Sequence, residues 1–447
     1  MIKKSVAIAV AAAIALSGGL AFGLTRDTRP VLKVANWAEY IDGGDEDSPL
    51  LHEFEAWYKQ QTGKEIRVEY CIANDNETLY NMIKMGDHFD LVCPSEYMLM
   101  KLAAENRLMK LPESFFDISN PNNYYAQNVS PYIATTFAEN HLKNGDAWKE
   151  YAAGYMWGTT GFVYNPLLVK AEDVNTWSVF TNPAYAHKIT AKNNIRDTYF
   201  VGLAMHYETR LQQLKTQYEK GEITRSTYQN ELSKLMNDTS PDTMNAVKKL
   251  LKSMTNNLYG FETDEGKNDT IAGKITVNYQ WSGDAVYILD YSQGDDEEDV
   301  VENPLELHYA IPETVSNLWF DGWALTKDCK NVTAATMFIN FLSMPENAVR
   351  NMEYIGYTSC IGGDYVFENY AQAYYAAEDG DETAVDYDLS YFFGDGYRLK
   401  APAEQLTRQL FAQYPKKETL DHCVAMQYFD RDANTRANLM WSDITFF

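Results

Sequence analysis

Between Val31 and Cys93 the chain alternates strand and helix patterns at a spacing that suits a parallel sheet with crossover helices. Val31-Leu32-Lys33-Val34-Ala35 predicts a first strand. Leu50 to Thr62 places Leu50, Phe54, Trp57 and Tyr58 on one helical side, and Gly63 follows as the C-terminal cap. Ile66, Val68 and Tyr70 alternate with charged residues, Thr78 to Met85 has helical character, and Phe89 to Cys93 forms a third apolar run stopped by Pro94. The order is β-α-β-α-β, the signature of an α/β lobe.

In open parallel sheets, ligands bind beyond the carboxyl ends of the strands. Trp37-Ala38-Glu39-Tyr40 and Ser95-Glu96-Tyr97 both follow such ends and should share one crevice. A second round of strands starts at Gly161-Phe162-Val163-Tyr164, runs through Ile189-Thr190-Ala191, and ends at Trp281 after the alternating Ile275 to Gln280. Asn317-Leu318-Trp319-Phe320-Asp321 is expected to close a further apolar run in the same way. Rings and carboxylates together suit an elongated organic cation, because rings cover its methylenes and carboxylates pair with its ammonium ends. The same residue types also fill cores and face water in ordinary proteins.

The chain has 447 residues, ample for two lobes. Its 63 acidic and 38 basic residues give a net charge of −25, which disfavours nucleic acid and anionic lipid. Lys3 and Lys4 precede an apolar run from Val6 to Leu24, the pattern of an export signal over residues 1–24 cleaved near Gly23, with an uncleaved anchor as the alternative. The protein is therefore expected outside the cytoplasm, in the periplasm or at the cell surface. Five scattered cysteines include no CxxC pair and are expected as small buried thiols.

Glu208 to Met236 has the pattern of a helical hairpin turning at Gly221, and Gly294 to Asp299 that of a solvated acidic loop. Thr333 to Leu342 is expected as a helix, Ile355 to Thr358 as a turn carrying Tyr357, and Leu406–Phe411 and Arg436–Trp441 as short helices. No GxSxG, HExxH, Walker or GxGxxG motif occurs in a suitable context, and the seven histidines form no ligand-spaced cluster. No cofactor or metal is expected. A secreted hydrolase with paired carboxylates and a binding protein for a sugar or amino acid remain alternatives.

Eight short motifs in order resemble the spermidine/putrescine-binding proteins of bacterial polyamine ABC importers. They are Asn36 to Tyr40, Asn76 to Tyr80, Asp90 to Tyr97, Trp157 to Gly161, Trp281-Ser282-Gly283, Trp319-Phe320-Asp321, Ile339 to Leu342 and Ile355-Gly356-Tyr357. The resemblance implies a two-lobed periplasmic-binding-protein fold of type II, with ligand held between α/β lobes and no reaction catalysed. Lobe 1 would comprise 30–156 with 319–366, and lobe 2 would comprise 157–318 with 367–447, including the hairpin insertion at about 208–236. Chain crossings would fall near Met156, Leu318 and Val366.

By the same resemblance, the aromatic box corresponds to Trp37, Tyr40, Tyr97, Trp281, Trp319 and Tyr357. Glu39, Asp197 and Asp321 would pair with ammonium groups, Ser95 would supply a hydroxyl, and Asp430 a C-terminal polar contact. The implied partners are a polyamine and ABC permease subunits, with the binding protein itself a monomer. Two departures bear on ligand choice. Ala38 stands where the family usually has Thr. Asn194-Ile195-Arg196-Asp197 stands where it usually has Asp-x-Arg-Glu, so Asn194 lines the slot with an amide and Asp197 with a shortened acid, which favours a diamine over a triamine.

Overall fold

The computed structural model describes residues 27–44, 47–293 and 304–445. The expected leader and the acidic run at 294–299 lie outside these. One sheet organises the chain, in the order β2 (Arg67–Ala73), β1 (Val31–Trp37), β3 (Leu91–Val92), β9 (Ser316–Leu325), β4 (Ala152–Tyr164), β7 (Val277–Trp281), β5 (Ile189–Lys192) and β6 (Leu258–Glu262), with β8 (His308–Ala310) also paired to β4. Strands β1 (Val31–Trp37), β2 (Arg67–Ala73) and β3 (Leu91–Val92) are mutually parallel at one end. Strands β5 (Ile189–Lys192), β6 (Leu258–Glu262) and β7 (Val277–Trp281) form a second parallel group at the other.

Two long strands join the groups. β4 (Ala152–Tyr164) pairs with β9 (Ser316–Leu325) as far as Thr159 and with β7 from Thr160 onward. β9 in turn pairs with β3 through Leu325 and Ala324. Both strands are buried along their whole length, so neither shows the alternation of a half-exposed strand. Trp319 and Asp321 consequently lie inside a strand, opposite Gly158 and Met156, and not at its end as expected.

Local signals act as read in the first lobe. The helix Pro49–Thr62 ends on Gly63 at φ 69°, a left-handed conformation that glycine adopts without a Cβ penalty. Its Phe54 meets Phe338 of the helix Val332–Leu342 edge to face at 5.0 Å, one of the contacts closing the core over β1.

Cys423 and Val424 pair in parallel with Ser316 and Asn317 at the start of β9. The C-terminal part of the chain contributes to two hydrophobic cores. Tyr370 to Cys423 contribute to a first core, and Val424 to Ile444 join a second core with β5 and β7. The 367–420 stretch also reaches across. Phe392 stacks on Trp157 at 5.4 Å, while Gln409 donates to Asp290 at 2.6 Å on the helix Ser282–Tyr291. The chain turns at Gly221 between the helices Ile195–Glu219 and Arg225–Met236, where Tyr218 and Tyr228 stack at 4.7 Å. All five cysteines are free thiols, three of them buried. Among the described residues no helix is long and apolar enough to cross a membrane.

Candidate functional site

A cleft of about 880 Å³ opens between the two groups of strands, and all eleven candidate residues line it. The parallel strands deliver most of them at their carboxyl ends: Trp37 from β1, Ser95 and Tyr97 after β3, Asn194 and Asp197 after β5, and Trp281 from β7. β9 adds Trp319 and Asp321 from its interior.

Asp321 is the most constrained acid in the cleft. Its side chain accepts from Ser95 Oγ at 2.6 Å, from Tyr40 Oη at 2.9 Å and from Trp37 Nε1 at 3.2 Å. The residue is only 5% exposed, and no ion pair to it occurs among the described residues. Burial raises its pKa to about 6, against the three donors, which pull it down. Ser95 is itself fixed, since Asn76 donates Nδ2–H to its hydroxyl at 2.9 Å and accepts its backbone N–H at 3.0 Å. Neutral donors thus hold a carboxylate in place without neutralising it.

Beside Asp321 stand four packed rings. Tyr40 lies edge-on to Tyr357 at 5.0 Å, Tyr357 meets Trp319 at 5.7 Å, and Tyr155 backs Tyr40 at 5.5 Å. Two glycines of the family motifs make this packing possible. A Cβ on Gly158 would lie 2.6 Å from the Trp319 ring, and one on Gly283 would lie 2.2 Å from the Tyr357 ring. Tyr357 then donates to Asp284 Oδ1 at 3.0 Å, and Trp319 Nε1 donates to the Thr159 carbonyl at 3.2 Å.

The wall after β5 is built as a helix cap. Asn194 precedes the helix Ile195–Glu219, accepting the Asp197 N–H at 2.8 Å and donating its amide to Asp197 Oδ2 at 2.6 Å. Burial raises the Asp197 pKa, opposed by hydrogen bonds from Asn194 and Trp281 and by the charge of Lys192. Behind Trp281, the fully buried Lys192 places Nζ 4.0 Å from the ring centre and is held by the Thr263 carbonyl at 3.1 Å and Glu262 at 3.4 Å. Tyr97 donates to Glu77 at 3.3 Å, with the Arg196 guanidinium 4.2 Å above its ring. Glu39 adopts φ 51° and exposes most of its side chain to the cleft.

Several lining residues carried no expected role: Glu77, Glu96, Arg196, Lys267 and Asp284. Glu77 and Glu96 fall inside quoted motifs, Arg196 lies between Asn194 and Asp197, and Asp284 follows Gly283. The motifs marked their neighbourhood but not their roles. Glu96 accepts backbone N–H groups of Phe320 at 3.1 Å and Met426 at 3.3 Å, tying β9 to the segment that follows Val424, and burial raises its pKa to about 8. Asp430 is outside the lining and instead accepts the Ala433 N–H at 2.8 Å, capping the helix Arg431–Thr445.

Ten carboxylate residues line the cleft against two cationic ones, Arg196 and Lys267, so its field favours a cation. A fold of two lobes on crossing strands, with this site between them, is that of a solute-binding protein. The bacterial extracellular solute-binding protein family matches over residues 51–363, and the chain belongs to it.

Its relatives include the spermidine/putrescine-binding periplasmic protein of Salmonella typhimurium, 25% identical over 359 residues, which are 80% of this chain and 84% of the relative. The putrescine-binding periplasmic protein SpuD of Pseudomonas aeruginosa is 26% identical over 343 residues, covering 75% of this chain and 79% of its own. Among solved structures, a putative spermidine/putrescine ABC transporter from Listeria monocytogenes superposes with a TM-score of 0.64 at 24% identity, over 93% of this chain and 99% of that one. The substrate-binding protein PotD of Streptococcus pneumoniae does so with a TM-score of 0.58 at 24% identity, over 93% and 98%. The two-lobed α/β fold expected from the sequence is thereby established, in a family of binding proteins rather than enzymes.

Proposed function

We propose that this protein captures a short polyamine between its lobes outside the cytoplasm and presents it, as a monomer, to the permease subunits of an ABC importer. The observation that carries this reading is Asp321: a buried carboxylate positioned by three neutral donors beside a wall of rings. A buried charge without a counter-ion is costly, and a ligand ammonium removes that cost. Each charge-assisted hydrogen bond to the ammonium contributes about 1.5–3 kcal/mol. Each buried methylene adds about 0.8 kcal/mol, and each ring contact with the cation about 0.5–2 kcal/mol. The names of the relatives point to the same ligands.

The lobes that close on the ligand comprise 30–156 with 319–366 and 157–318 with the final helix, the 367–420 stretch bridging them. Closure is favoured because Trp37, Tyr40 and Ser95 stand on one side of the cleft and Asn194, Asp197 and Trp281 on the other, so only the closed form engages both sets. A thermal-shift series with putrescine, spermidine, glucose and glutamate tests the reading. A rise in unfolding temperature with the amines alone supports it; a rise with the sugar or the amino acid alone overturns it.

A further inference from the structure

Lys267 already occupies one acidic corner of the cleft. It belongs to the helix Glu265–Ile271, and its side chain is only 15% exposed. Its Nζ lies 3.2 Å from Asp264 Oδ1, 3.6 Å from Asp284 Oδ1 and 3.9 Å from Glu39 Oε2, with the Tyr287 ring centre at 5.3 Å. Carboxylates around an ammonium against an aromatic face are the surroundings that a polyamine terminus would seek.

This corner is continuous with the one at Asp321. Tyr40 donates to Asp321, its ring packs on Tyr357, and Tyr357 donates to Asp284, which in turn faces Lys267. The ammonium of Lys267 therefore lies two aromatic rings, Tyr40 and Tyr357, beyond Asp321 in the same cleft. Burial opposes its charge, but the carboxylates of Asp284 and Asp264 outweigh burial and hold the lysine above its ordinary value, so it stays charged at neutral pH. The backbone beneath is fixed too: the Gly266 carbonyl accepts from Asn278 Nδ2 at 3.1 Å and from Thr270 Oγ1 at 2.6 Å.

We propose that Lys267 is a built-in ammonium that takes the place of one ligand amine, limiting the cleft to amines with two charged ends and excluding a third. This rests on the polyamine reading and deepens it. Asp321 receives one end of the ligand, the Asn194–Asp197 wall receives the other, and the Glu39, Asp264 and Asp284 corner is spoken for by the protein itself. A longer ligand would bring its own ammonium against that of Lys267, a like-charge contact that disfavours it.

The test is calorimetric titration of ligand-stripped wild-type, Lys267→Met and Lys267→Arg proteins with putrescine and spermidine. Wild type should prefer putrescine. Lys267→Met should move the ratio of the two dissociation constants by about tenfold or more toward spermidine, and Lys267→Arg should keep the wild-type ratio. A Lys267→Met ratio unchanged while both amines bind overturns the assignment of Lys267 and leaves the polyamine reading standing. Absence of heat with every amine and every protein overturns that reading, and this inference with it. A series of linear diamines on the unaltered protein gives a readout independent of how the variants fold. Affinity should peak at a short chain and fall for diamines as long as spermidine, and a flat or rising series contradicts the proposal.

Discussion

The ring of Tyr357 occupies the space where residue 283 would carry a Cβ: a side chain there would stand 2.2 Å from the ring. The glycine of the Trp281-Ser282-Gly283 motif thus belongs to the aromatic wall, although its own atoms offer nothing to a ligand. Gly283→Ala should displace Tyr357 from Tyr40 and Trp319, cost about 1–3 kcal/mol of stability through overpacking, and weaken amine binding. Chemical denaturation and titration of the variant check this. Unchanged stability together with unchanged affinity would show that the close approach is immaterial.

Binding should depend on pH through Asp321. Its folded-state pKa is raised from 3.8 to about 6, so the ligand-free protein takes up a proton there as pH falls, and an ammonium must displace that proton. Amine affinity should therefore fall as pH drops through about 6, with proton release on binding in the same window. The sign for stability is opposite. Because the folded pKa is raised, ionising Asp321 destabilises the empty protein progressively between about pH 4 and 6 and fully above, and bound amine offsets this. Titrations in buffers of different ionisation enthalpy measure the proton count, and pH-independent affinity between 5 and 8 would contradict the assignment.

Asn194 is both helix cap and cleft wall, and Asp is as good an N-cap as Asn. Asn194→Asp keeps an acceptor for the Asp197 N–H but removes the amide donor to a buried carboxylate, so it should cost the empty protein about 1–3 kcal/mol. It replaces the amide that donates to Asp197 with a second carboxylate, so the wall gains negative charge. The expected outcome is a rise in spermidine affinity relative to putrescine, read by calorimetry. A shift toward putrescine would show that the wall does not count charges.

How much of this was legible beforehand depends on what each residue's partners are. The β-α-β-α-β start was readable because its signals are local: Gly63 caps a helix whose Phe54 and Tyr58 recur on one face. The acids and rings after β1, β3 and β7 were readable because strand ends are where a ligand sits in such sheets. The interior placement of Trp319 and Asp321 was not, since β9 is buried throughout and has no alternation to mark its length. The helix Ile195–Glu219 shows its pattern in sequence only from Glu208 for a similar reason: the residues from Ile195 to Ala204 are buried almost all round. The role of Lys267 was invisible. A lysine on a seven-residue helix looks like solvated surface until the sheet sets its ammonium against Asp284 and Glu39. The pairing of Cys423 with Ser316 is likewise a contact that nothing near Cys423 in the chain announces.

Asp321 is the proposed seat of a ligand ammonium. The most direct test is calorimetric titration of putrescine into wild-type protein and the Asp321→Asn variant, both unfolded and refolded to remove carried-over ligand. Wild type should bind one-to-one, and the variant about ten- to a hundredfold more weakly, the equivalent of one lost charge-assisted hydrogen bond of about 1.5–3 kcal/mol. Equal affinity in the two proteins would contradict it.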